Sequence, residues 1–242
     1  MAGRMTKISS TSDEGEFDCY VSLPASAGKV PAIVLASAVH GVDKDICDMC
    51  DEFASHGYLA AAPDLFWHWM PGPIPGGDPR ARERAEPRLE RIKTNEADMA
   101  DTLGYLRKLP SFNGRAAAAG YCYGGPFAIL GPKRLGYAAG VSCHGSRMEM
   151  YLNELPGVTA PVCIIWGGKD TAAPEEVVAN YRRVAEPMNN VEIDILPGIL
   201  HGYMMPWSKT AFDAPARKFS MEKTLLILDG LRDAPAPMRR AS

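Results

Sequence analysis

Nothing in this chain reads as a membrane segment or an export signal. No stretch approaches the roughly 18 uninterrupted apolar residues that a bilayer-spanning helix needs. The opening residues, MAGRMTKISSTSDEGEFDCY, hold no apolar core of the kind a secretory signal carries. Charge of one sign is also scarce. The formal net charge is -3, with no basic stripe to suggest nucleic acid and no solvating acidic tail. No internal repeat stands out. Cysteine is present but dispersed, at positions 19, 47, 50, 122, 143 and 163. Without an export signal such a set is expected to stay reduced rather than form a disulfide framework. The close pair, Cys47 and Cys50, has no second pair at zinc-site spacing. It also falls within an amphipathic helical segment with little basic character to activate a thiol, so core thiols are expected there rather than a redox motif. These absences point to a cytoplasmic protein with no nucleic-acid or membrane partner.

What is present is an ordinary globular composition, 46% apolar and 23% charged over 242 residues. That length suits one α/β domain better than two. Short apolar runs alternate with helical-period segments, the α/β pattern. Strands are expected over residues 17–23, 32–36, 59–62, 116–121, 138–143, 162–166 and 191–196, with a further polar strand near 6–9. Runs such as AIVLA, LAAA and VCIIW suit strands covered on both faces, whereas the early, alternating strands suit an antiparallel edge. Helices are expected over 43–56, 80–109, 123–130, 174–186 and 210–231, the second broken at Pro87. Residues 67–79, rich in proline and glycine, form a loop, and residues 233–242 read as a frayed tail.

The chemistry concentrates where the strand at 116–119 runs into Gly120-Tyr121-Cys122-Tyr123-Gly124 and then a helical segment. This is the setting of a nucleophile elbow, with cysteine at the nucleophile position. The two glycines leave room for a strained turn, and a helix starting at Tyr123 would aim its dipole at the sulfur. A thiol nucleophile needs a histidine base and an acid to orient it. In such folds the order along the chain is nucleophile, acid, histidine. Asp170 lies in GGKD after the run VCIIW, and His201 lies in PGILHGY after VEIDIL. Both follow predicted strands. His40 and His144 are rival bases, and His56 reads as a helix-end residue. Oxyanion donors are expected from the backbone N–H groups of Tyr123 and Val39.

Taken together, the segments AIVLA through HGVD, HGYLAAAPDLF, GYCYGG, GGKDTAAP and LHGY resemble the dienelactone hydrolase family over nearly the whole chain. The resemblance implies a three-layer α/β-hydrolase fold with an eight-stranded, mostly parallel sheet. It implies hydrolysis of a carboxylic ester or lactone through a Cys122-Asp170-His201 triad, with no metal or organic cofactor. Two features depart from the family pattern. Ala38 takes the place of a glutamate that meets the resting cysteine. The sites of two substrate-binding arginines are occupied by Trp67-His68-Trp69 and Gly202-Tyr203-Met204-Met205. The pocket wall is therefore expected to be apolar and aromatic, built from Ala38, His40, Phe66, Trp67, His68, Trp69, His144, Tyr203, Met204 and Met205, with Met70 and Trp207 nearby. Such a wall suits a neutral, fairly apolar ester or lactone, cleaved by a monomer or homodimer. A non-catalytic binding protein on the same fold is the alternative.

Overall fold

A computed structural model describes residues 2–25 and 28–232. The expected frayed tail lies outside the described residues. Eight strands form one sheet in the order β1-β2-β4-β3-β5-β6-β7-β8. They are β1 (Arg4–Ser9), β2 (Glu16–Ser22), β3 (Val30–Ala36), β4 (Leu59–Pro63), β5 (Phe112–Tyr121), β6 (Ala139–Cys143), β7 (Val162–Gly167) and β8 (Val191–Leu196). The first two are antiparallel to each other, and β2 is antiparallel to β4. From β4 across to β8 every pairing is parallel. The expected polar antiparallel edge is therefore present. β5 begins four residues before the expected start at 116, taking in the polar stretch FNGR that lies outside the apolar pattern.

Successive residues of a strand face opposite sides, so each apolar strand feeds two cores. On one side Val34, Ala36, Ala116 and Ala118 pack with Ile92, Met99 and Leu103 of α3 (Arg88–Leu106) and Phe127 of α4 (Phe127–Leu130). On the other, Ile33, Leu35, Ala117 and Val141 pack with Ile46 and Phe53 of α1 (Lys44–Ser55) and with Met221 of α6 (Ala214–Gly230). The third cluster sets Val177 and Tyr181 of α5 (Glu175–Ala185) against Ile164 and Trp166. β3, β4, β6 and β7 are buried from end to end, which is why they read as unbroken apolar runs. Each buried Leu, Ile, Val or Phe contributes about 1.5–3 kcal/mol against exposure.

The helical segment at 80–109 does break at Pro87, into α2 (Arg80–Glu83) and α3. The helix expected over 123–130 is different. A single 3₁₀ turn, Cys122–Gly124, precedes the four-residue α4, and a π turn, Gly131–Leu135, follows it. Pro126 and Pro132 lack the N–H groups that would extend a regular ladder through this stretch. A dipole contribution from a long helix behind the elbow is correspondingly weakened. The final helix starts at Ala214 rather than 210, because the Asp213 carboxylate accepts from the Ala216 N–H at 2.9 Å and caps it there.

Candidate active site

The elbow forms at the C-terminal end of β5. Cys122 has φ +50°, in the left-handed region that a residue with a side chain occupies at a cost of about 1–3 kcal/mol. The surroundings leave no alternative. A Cβ on Gly120 would lie 2.0 Å from the Gly124 carbonyl oxygen, and one on Gly124 would lie 2.1 Å from that of Ala36. Glycine at both positions is therefore a packing requirement. The Gly124 N–H donates to the Ser37 carbonyl at 3.1 Å, which ties the elbow to the loop after β3.

The loops after β3, β5, β6, β7 and β8 all open at the same end of the parallel sheet, and they carry Val39, Cys122, Ser146, Asp170 and His201 respectively. Nδ1 of His201 lies 2.9 Å from each carboxylate oxygen of Asp170. The Asp170 side chain has no exposure, and the Ala172 N–H donates to its Oδ1 at 2.8 Å. The carboxylate is thus held from its own turn while it orients the ring. Cys122 and His201 both face a cavity of about 800 Å³. Burial would push the Cys122 thiol up, but the His201 imidazole, with Arg88 and Ser146, brings it down to about 7. Burial would lower His201, but Asp170 and the Cys122 sulfur raise it to about 10. Both directions favour a thiolate–imidazolium pair near neutral pH.

The rival histidines are placed elsewhere. His40 Nδ1 pairs with the Ile74 carbonyl at 3.0 Å, and the ring meets Trp207 edge-on in an adjoining cavity. His144, which has φ +43°, is 1% exposed and neither ring nitrogen has a partner. Its ring stands edge-on to His201 at 5.0 Å, and burial, then the His201 charge, hold its pKa well below the usual histidine range. His144 is therefore a neutral wall behind His201. His56 caps the C-terminal end of α1, in keeping with its place before Gly57.

The expected pocket wall is corrected. Phe66, Tyr203, Met204 and Met205 lie in the hydrophobic cores, each 2% exposed or less. Phe66 lies against the Tyr123 ring and the Tyr203 hydroxyl meets Ser220 Oγ of α6, so these side chains are taken up by the core. Trp67 and His68 turn to the buried Asp98, with the Trp67 Nε1 donating to it at 2.9 Å and His68 Nε2 at 3.3 Å. Trp69 lies under the Arg91 guanidinium at 3.8 Å. Ala38 is buried in the loop after β3. Of the predicted site residues, Cys122, His201 and Val39 line the cavity. The rest of the lining mixes charged and polar side chains, among them Arg82, Glu86, Arg88, Ser146, Arg147 and Glu149, with the apolar Ala85, Ala172, Pro174, Val177 and Ala211.

Arg84, Arg88 and Ser146 carry this arrangement without standing out in the sequence. Arg84 is 2% exposed and donates to the carbonyls of Val39, Met70 and Gly72 at 3.0, 2.7 and 2.6 Å, stapling the loop after β3 to the proline-rich loop. Arg88 and Ser146 meet beside the sulfur. Spacing gives no signal for these arginines, because Pro87 breaks the helical segment between Arg84 and Arg88. Tyr123 is anchored from below: its hydroxyl donates to Asn95 Oδ1 at 2.6 Å, and Asn95 in turn donates to Asp98 at 3.0 Å. Among the described residues one trio, Cys163, Glu192 and Asp194, brings potential metal-ligand atoms within 4.8 Å of one another. The Lys223 ammonium pairs with both of its carboxylates.

The sheet order, the strained cysteine at the end of β5 and the loops gathered above it define an α/β-hydrolase. Comparison with known proteins makes this specific. The dienelactone hydrolase family model matches residues 17–230, and the chain belongs to that family of hydrolases. It is 27% identical over 223 residues to carboxymethylenebutenolidase 1 of Cupriavidus pinatubonensis, covering 90% of this chain and 94% of that one. The fold is shared with a dienelactone hydrolase-like promiscuous phosphotriesterase from metagenomic libraries, at TM-score 0.79, 16% identity and coverage of 96% and 100%. It is also shared with dienelactone hydrolase from Anabaena variabilis, at TM-score 0.64, 17% identity and coverage of 91% and 97%. Among the described residues no helix is long and apolar enough to cross a membrane.

Proposed function

We propose that this protein hydrolyses a small carboxylic ester or lactone through a thioester acyl-enzyme formed on Cys122. The observation that carries the reading is the contact of His201 Nδ1 with both Asp170 oxygens at 2.9 Å, in a ring that shares its cavity with Cys122. The Cys122 thiolate attacks the carbonyl carbon, and the backbone N–H groups of Tyr123 and Val39 receive the oxyanion. The His201 imidazolium gives its Nε2 proton to the departing alkoxide. The neutral ring then takes a proton from water, which attacks the thioester carbonyl, and the thiolate leaves. Asp170 keeps the ring in one tautomer throughout. The names of the relatives support an ester or lactone as the bond. The mixed lining, with Arg82, Arg88 and Arg147 set among apolar side chains, supports an acyl or alkoxy group that carries a polar end, since the aromatic residues expected to form a wholly apolar wall lie elsewhere. Six unpaired thiols support a reducing, cytoplasmic setting.

A panel of chromogenic esters and small lactones, run on the wild type and on Cys122→Ala, tests the reading. Turnover should fall by about 10³-fold or more in the variant while the circular dichroism spectrum stays unchanged. Turnover persisting in Cys122→Ala would move the nucleophile elsewhere.

A further inference from the structure

Ser146 stands beside the elbow. Its N–H donates to the Cys122 carbonyl at 2.9 Å, and its Oγ lies 3.7 Å from the Cys122 sulfur. From the other side the Arg88 guanidinium donates to the Ser146 carbonyl at 3.4 Å and also to the Ser146 Oγ. Arg88 is 7% exposed, its Cζ lies 4.4 Å from the centre of the Tyr123 ring, and its Nε has no partner. No ion pair among the described residues includes it. A buried cation without a counter-charge is costly, so its place is justified where an anion forms. The sulfur is the group in reach that becomes one. A guanidinium has donors and no acceptor. Ser146 Oγ must therefore accept from Arg88, which leaves the hydroxyl hydrogen free to point at the sulfur.

We propose that Arg88 and Ser146 form a donor relay, Arg88 N–H to Ser146 Oγ and Ser146 O–H to Cys122 Sγ, that holds the resting nucleophile as a thiolate. The proposal rests on the reading of Cys122 as the nucleophile. Both residues are positioning residues, acting on the sulfur rather than on substrate. The other charged groups around the sulfur come from several elements. His201, backed by Asp170, faces it from the loop after β8. Arg82 of α2, Glu86 before α3, and Arg147 and Glu149 after β6 line the same cavity. The Glu86 carboxylate accepts from the Arg88 backbone N–H at 2.8 Å. His144, behind His201, is neutral. In the loop after β3 the residue at position 38 is alanine, so no carboxylate opposes the thiolate from there. A charge-assisted donor beside a thiolate is worth more than a neutral one, because both partners are partly desolvated.

The test is the pH dependence of Cys122 carbamidomethylation by iodoacetamide, read by mass spectrometry at that residue. The remaining thiols stay silent in the same range, since burial pushes every one of them up, Cys47 to about 11. The wild type should inflect near pH 7. Ser146→Ala and Arg88→Met should each move the inflection up by about one unit, making alkylation about tenfold slower on the acid side. Ser146→Thr, which keeps the hydroxyl, should restore the wild-type inflection, and Arg88→Lys should restore part of it. Inflections for Ser146→Ala and Arg88→Met within about 0.2 units of wild type would overturn the relay. If Arg88→Met does not fold, Ser146→Ala and Ser146→Thr decide alone. The readout does not depend on turnover. Turnover surviving in Cys122→Ala would therefore overturn the nucleophile without touching the relay, and an unmoved inflection would overturn the relay with the nucleophile intact.

Discussion

Two cysteines of this chain differ in nearly everything except their chemistry. Cys50, within α1, has no exposure and packs in an apolar core with Met49 and Phe53. Burial pushes its thiol well above the usual range, and the neighbouring Cys19, Cys47 and Asp51 add to the effect. Cys122 is half-buried at the end of β5 and has the opposite tendency. Desolvation acts on both. The difference is that a helix interior turns its N–H groups to its own carbonyls, whereas the elbow lifts its sulfur out of the sheet's ladder and toward His201, Ser146 and Arg88. Burial alone therefore raises a thiol, and the donors and cations placed around Cys122 reverse that direction.

The contrast between the two thiols is most easily lost at Asp170. Asp170→Asn keeps the size of the side chain but removes the charge that raises His201, and kcat should fall by about 10³-fold with the fold retained. A kcat within a few-fold of wild type would leave His201 without an orienting acid. The pH profile is the next largest effect. With the Cys122 thiol brought down to about 7, kcat/KM should drop about tenfold per unit as pH falls below that value and the thiolate is lost. With His201 raised to about 10, activity should fall again above that value, where the imidazolium can no longer protonate the leaving group. A flat profile between about pH 5 and 8 would exclude an attacking thiolate that titrates there.

Cys50→Ser probes the inert thiol. It replaces a buried sulfur with a stronger hydrogen-bonding group that has no partner, and denaturant melts should show a loss of about 1–3 kcal/mol. The folded variant should keep the wild-type pH profile. The smallest effect belongs to Met205→Leu. Met205 is 2% exposed and packed in the core beneath α1 and α6 rather than in the cavity. Stability should change by less than about 1.5 kcal/mol and KM by less than about twofold. A large KM change would return that residue to the pocket wall.

The strand pattern and the order of the site residues are legible in the sequence. AIVLA, AAAAGY and VCIIWG are apolar because both faces of those strands are covered. Val39, Cys122 and Asp170 each follow one of these runs within a few residues, so their common edge can be inferred from the order of runs. The pocket wall cannot. Phe66, Tyr203 and Met204 have the composition of either a binding wall or a core, and composition does not say which way a loop turns. The break-up of the helix expected over 123–130 is also hidden, because the helical period tolerates Pro126 and Pro132 on paper.

The sequence by itself determined what is local. Gly120 is an encoded requirement of the turn, since a Cβ there would meet the Gly124 carbonyl oxygen at 2.0 Å. Asp213 caps α6 by a hydrogen bond three residues away. Only the tertiary structure decided where Arg84 and Arg88 go. Their partners are carbonyls and a hydroxyl that lie 12 to 58 residues distant along the chain. Those groups need donors only because the packed loops leave them without strand or helix partners. A long polar side chain has many places to reach, and the closed fold removes all but one.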